Sequence, residues 1–97
     1  MPVASSPGVP FNLSRPGEWV LLEEVWKSGI WEDNNREIEI PLVTGVRVTV
    51  RHNFMWPWWV HEVTLGPGRH TFFIPDGWNK YQVRLDSGSP VTIMWIV

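Results

Sequence analysis

From Val46 to Arg51 the side chains alternate without a break: Val46, Val48 and Val50 on one side, Arg47, Thr49 and Arg51 on the other. Successive residues of a strand point to opposite faces, so a period of two describes a strand with one face in a core and one in water. The same period recurs where Ile38 and Ile40 alternate with Glu37 and Glu39, and where Tyr81, Val83 and Leu85 alternate with Lys80, Gln82 and Arg84. Trp59 to Leu65, Arg69 to Ile74 and Pro90 to Val97 carry apolar residues on both faces, as strands covered on both sides do. Glu18 to Trp26 is open to two readings. Its adjacent Glu23 and Glu24 allow a short helix, whereas its Trp, Val and Leu favour a strand.

Between these runs lie Asp33-Asn34-Asn35, Gly66-Pro67-Gly68, Pro75-Asp76-Gly77 and Asp86-Ser87-Gly88-Ser89-Pro90. Each supplies residues that tolerate left-handed backbone, fix φ or hydrogen-bond their own backbone, and so reverse a chain. Short strands spaced by such turns predict an all-β fold, a small antiparallel β-sandwich of jelly-roll-like form. Gly68 to Val97 reads as a three-stranded meander. Residues 18–97 form the expected sandwich domain.

Residues 1–17 differ. Pro2, Pro7, Pro10 and Pro16, with Gly8 and Gly17, exclude a helix or central strand and predict an extended arm. Phe11 and Leu13 are its apolar anchors, held by the chain's own domain or by a neighbour. The last strand, Val91 to Val97, has apolar residues on both faces and would aggregate as a bare edge. It is expected to be central, or covered by the arm or a partner.

A domain of 97 residues has a thin core, and with no cysteine it has no disulfide to reinforce it. Eight tryptophans are the alternative support. The net charge of −2 suggests neither nucleic acid nor an anionic membrane as a partner. Its distribution is uneven, with seven acidic residues against Lys27 and Arg36 between Glu18 and Glu39. Such a split either drives head-to-tail contacts between copies or is neutralised within the domain. Met1 to Pro10 has no basic start followed by an apolar run, and no segment has the ~20 apolar residues of a membrane helix. The expected product is soluble at synthesis, in a cytoplasm or a host cell, and ends in a virion if it is a structural protein of one.

No phosphate loop, nucleophile elbow or paired-histidine helix occurs, so the expected protein is not an enzyme and needs no cofactor. His52, His61 and His70 lie nine residues apart on three successive expected strands. In a meander they could meet as a three-histidine metal site, provided the register puts all three on one face. The adjacent carboxylates Glu23-Glu24 and Glu32-Asp33 point to opposite faces of a strand and cannot act together on one bond.

Phe54-Met55-Trp56-Pro57-Trp58-Trp59 is the densest aromatic stretch, and Pro57 prevents it from presenting every ring to one core. Trp56 and Trp58, together with Trp78 in the turn after Pro75, are expected as exposed binding residues alongside Phe11 and Leu13. Aromatic anchors suit protein interfaces, and flat indoles also stack on sugars, with Asn53, Glu62 and Arg51 as candidate hydrogen-bonding neighbours. The chain therefore reads as a structural protein of a larger assembly. Its concrete form would be a virion accessory that decorates a capsid, with other copies or a major capsid protein as partners. A carbohydrate-binding sandwich is the alternative.

Overall fold

A computed structural model describes residues 9–28 and 34–96. Eight strands follow in order: β1 (Val9–Leu13), β2 (Trp19–Lys27), β3 (Asn35–Ile40), β4 (Arg47–Phe54), β5 (Val60–Leu65), β6 (Gly68–Phe73), β7 (Gly77–Ser87) and β8 (Val91–Ile96). They form two four-stranded sheets, ordered β1-β8-β3-β6 and β2-β7-β4-β5. The antiparallel pairs β4–β5, β3–β6, β2–β7 and β1–β8 are nested one inside the next. This is the topology of a jelly roll, as though one long hairpin had been rolled into two sheets.

The expected meander does not form. β6, β7 and β8 lie in alternate sheets, with β6 beside β3, β7 between β2 and β4, and β8 between β1 and β3. Turn residues mark where the chain reverses, but they do not say whether it pairs with the strand it left or crosses to the other sheet. The turn after β7 illustrates how tightly these crossings are built. Gly88 has φ +97°, and a Cβ there would lie 2.9 Å from the Gly45 carbonyl oxygen and the Val46 Cα. Only glycine fits both the backbone angle and the space.

Inside the sandwich, Phe11, Leu13, Ile38, Ile40, Ile93 and Trp95 of one sheet meet Leu22, Val46, Val48, Val50, Tyr81, Val83 and Leu85 of the other. The alternating runs thus put their apolar members inward. β2 is a strand, and its two glutamates part company. A bulge between Leu21 and Glu23 adds one residue, so that Leu22 and Glu23 are both buried while Glu24 is exposed.

Glu23 is held by a bidentate Arg36, at 2.7 Å to Oε1 and 3.0 Å to Oε2, with both side chains about 4% exposed or less. Trp95 Nε1 donates to the same Oε1 at 2.8 Å. Strands β2, β3 and β8 are thereby joined across the core. Tyr81 packs against Trp95 and Phe72 and donates its hydroxyl to the Phe73 carbonyl at 3.0 Å. Burial, with a smaller contribution from Glu23, pushes this phenol far above its ordinary range, so it remains a donor.

Residues 1–8 of the expected arm lie outside the described residues, and the rest contributes to the chain's own fold. Val9–Leu13 is edge strand β1 on β8, with Phe11 7% and Leu13 2% exposed, so these two anchors hold their own domain rather than a neighbour. β1 and β3 flank β8, which is therefore not an open edge. Acidic β3 is neutralised at home as well. Arg69 on β6 reaches Glu37 at 3.4 Å and Glu39 at 3.1 Å, and Arg36 reaches Glu23.

Candidate functional site

Strand direction brings the end of β2, the β4–β5 loop and the β6–β7 connection to one end of the sandwich, where the described tryptophans collect. Trp26 is 70% exposed, Trp58 77%, Trp56 53% and Trp59 44%, and half-buried Trp78 sits directly opposite Trp26 across the β2–β7 pair. Only two other tryptophans are among the described residues. Trp95 fills the core, and Trp19 lies on the outer face under the guanidinium groups of Arg51 and Arg84, 3.9 and 4.6 Å from its ring centroid. A core that closes without the five end tryptophans leaves them available for something else.

The β4–β5 loop is built, not merely exposed. Met55 adopts φ 64°, a left-handed conformation that few side-chain-bearing residues take. Asn53, 8% exposed, donates its amide Nδ2 to the Pro57 carbonyl at 3.0 Å and the Trp59 carbonyl at 3.3 Å. Trp56 and Trp58 then stack outward, with centroids 5.6 Å apart and planes 6° from parallel. Trp59 turns its ring back, edge-on to Phe54 and His52. Trp56, Trp58, Trp59 and the exposed Val60 make a ridge.

A second buried amide builds the neighbouring turn. Asn79, 0% exposed, donates from Nδ2 to the Pro75 carbonyl at 2.8 Å and the Gly77 carbonyl at 3.0 Å. With the amide nitrogen engaged, its Oδ1 accepts from His52 Nε2 at 2.8 Å, which places the neutral imidazole proton on Nε2. His52 also stacks flat on Tyr81, at 4.1 Å and 5°. Beside this turn opens a cleft of about 620 Å³ lined by Trp26, Trp56, Trp78 and Met55, with Lys27, Ser28, Asp76 and Gly77 on its border. Trp78 is fixed there by its indole N–H, which donates to Glu24 Oε2 at 2.8 Å.

The three histidines are not brought together. His52 and His61 oppose each other on β4 and β5, but His70 is in the other sheet, opposite Ile38, with its Nε2 on the Gly66 carbonyl at 3.0 Å. The chain changes sheets between β5 and β6, which separates them. Among the described residues no three His, Cys, Asp or Glu side chains are grouped as metal ligands. Arg51 and Glu62 pair with each other at 2.9 Å and Asn53 holds its loop, so none of these three lines the cleft. Trp56, Trp58 and Trp78 do come to one end. Trp26 joins them, and its signal was parity, since it shares the outward side of β2 with Glu24. Glu32 and Asp33 lie outside the described residues.

Burial holds the His52 pKa below its ordinary 6.5, against the pull of the Asn79 hydrogen bond, with nearby His61 lowering it further. The unfolded chain therefore binds a proton near pH 6.5 that the native state takes up only at lower pH. Stability should be flat above this value and fall as pH drops below it. Urea unfolding midpoints at pH 7.5 and 5.5 should show this fall in the native protein. It should be smaller in His52→Gln, whose amide can still donate to Asn79.

Comparison with protein-family models, with curated proteins and with solved structures gives no match.

Proposed function

We propose that this chain is a non-catalytic structural protein of a larger assembly, in its most concrete form a virion accessory that decorates a capsid, with the Trp56–Trp58–Trp59 ridge as its contact. The observation that carries this reading is the ridge itself: large aromatic rings held out from a domain whose core is complete without them. Tryptophan is enriched among residues whose truncation costs an interface 2 kcal/mol or more (about thirtyfold in affinity). The loop is fixed through Asn53 before any partner arrives, so little ordering entropy opposes docking.

Jelly rolls also build lectin domains, so the topology alone does not choose the role. What the fold adds is a rigid block with its contact residues gathered at one end. The partners in this reading are other copies of the chain and the shell protein beneath them. Many equivalent weak contacts on a repeating surface then add up to stable attachment.

Light scattering behind size exclusion, from about 1 µM to about 1 mM, spans contacts worth about −8 to −4 kcal/mol. The native protein is expected to associate into a discrete oligomer over this range, and Trp58→Ser to remain a monomer. If both stay monomeric throughout, or if Trp58→Ser associates as strongly as the native chain, the ridge is not a contact between copies.

A further inference from the structure

We infer that the cleft between the end of β2, the β4–β5 loop and the start of β7 is a separate binding site for a neutral pyranose oligosaccharide. The inference goes beyond assembly, although Trp56 belongs to both the ridge and the cleft.

The cleft joins two kinds of surface. Trp26 and Trp78, opposite each other on the outer face of the sheet, and Trp56 from the facing loop supply indole rings. Lys27, Ser28 and Asp76 lie on the border of the cleft, Lys27 largely buried and Ser28 exposed. A pyranose ring matches this division, because its C–H face is apolar and its equatorial hydroxyls both donate and accept hydrogen bonds. Stacking the C–H face on an indole buries apolar area while the hydroxyl rim satisfies the polar border. A wholly apolar ligand would cover the exposed Ser28 hydroxyl and give it no hydrogen bond in return. A polyanion would meet Asp76 and a protein of net charge −2. The volume of about 620 Å³ is within the range of small-ligand clefts.

The site is also set in place beforehand. Asn79 fixes the turn carrying Asp76, Glu24 holds the Trp78 ring, and the Met55 N–H donates to the Trp78 carbonyl at 2.9 Å, locking loop to strand. Among the described residues the indole N–H groups of Trp26 and Trp56 have no acceptor.

Isothermal titration with hexasaccharides of β-1,4-glucan, β-1,4-mannan, β-1,4-xylan and β-1,3-glucan tests the site, with a proline-rich peptide as the competing occupant. At least one saccharide is expected to bind. Trp26→Ala, a change at a surface ring that leaves the core intact, should weaken that binding by about tenfold, the loss of one good stacking contact. Val60→Ser, on the ridge but outside the cleft lining, should leave saccharide binding unchanged even where it weakens self-association, so the two readings can fail separately. The inference is overturned if no saccharide binds, if Trp26→Ala with a native unfolding midpoint binds as well as the native protein, or if the peptide binds more tightly than every saccharide.

Discussion

Replacing Arg36 by methionine is expected to lower the unfolding free energy by about 3–5 kcal/mol, because it leaves the Glu23 carboxylate charged and unpaired inside the sandwich. Methionine keeps an unbranched apolar stem but not the guanidinium head, so the stranded charge is the main loss and a packing loss adds to it. Glu23 and Arg36 are both nearly inaccessible to water and are joined by two hydrogen bonds, while Arg36 Nη1 donates to the Asn35 carbonyl at 3.0 Å. For a domain of this size each 1 kcal/mol moves Tm by about 4–8 °C, so the midpoint should fall by more than about 12 °C. The informative companion is Glu23→Gln with Arg36→Met. Glutamine removes the stranded charge yet keeps an acceptor for the Trp95 indole N–H, which in the native protein donates to Glu23 at 2.8 Å. The double variant should therefore recover most of what the single one loses. If Arg36→Met alone unfolds within about 1 kcal/mol of the native protein in urea, the pair is not the buried tie the geometry describes.

That tie could not be read from the sequence, and the reason is instructive. Arg36 stands at the edge of the Glu37–Ile40 alternation, and by parity it belongs with Ile38 and Ile40 on the inner face, yet a charged residue there reads more naturally as a turn or a solvated end. Glu23 was harder still, because the bulge after Leu21 breaks the period of two just where parity would have placed it. Where the period holds, as in Val46–Arg51 and Tyr81–Leu85, the inward residues are the ones alternation picks out. Where both faces are apolar the outcome is mixed. β8 is central, as its composition demands, but β5 is a sheet edge whose exposed Val60 and His61 lie at the tryptophan end. Pairing across the core is a property of distant segments, and turn residues carry no record of it.

The site was legible in part for the same reason. Pro57 announces that Trp56 and Trp58 leave the ladder, and Gly77 that Trp78 begins a strand at a turn. What made a site of them was invisible: two asparagines, Asn53 and Asn79, each inside a strand where a polar residue of middling size gives no signal. Their role depends on loop carbonyls four and six residues after Asn53, and four and two residues before Asn79. Spacing of that kind follows from the path of a loop, and that path was not known until the strands were paired. The anchors Phe11 and Leu13 show the converse. Their chemistry was read correctly as apolar anchoring, but the partner is β8 of the same chain.

Asn79→Ala should be the second most costly change, because one side chain serves three groups. Its loss strands the carbonyls of Pro75 and Gly77 and the His52 Nε2–H, in a position with no exposure of its own. A buried group left without a partner costs roughly 1–3 kcal/mol, and partial relaxation of the turn toward water offsets some of this, so a net loss of about 2–4 kcal/mol is expected in urea. Function should suffer beyond stability. The turn carries Asp76 and leads into Trp78, so at a temperature where the variant remains folded its cleft should bind saccharide at least tenfold more weakly, about 1.4 kcal/mol. Asn53→Ala supplies the contrast. It releases only the Pro57 and Trp59 carbonyls, in a loop that water already reaches, so its stability cost should be nearer 1–2 kcal/mol. Its functional effect should fall chiefly on self-association, because the loop it frees carries three ridge rings, Trp56, Trp58 and Trp59, of which only Trp56 also lines the cleft. Opposite patterns in the two variants would establish that the tryptophan end is two sites, each positioned by its own buried amide. Equal loss of both activities in both variants would mean that the loops act as one surface, and the separation of ridge from cleft would have to be given up.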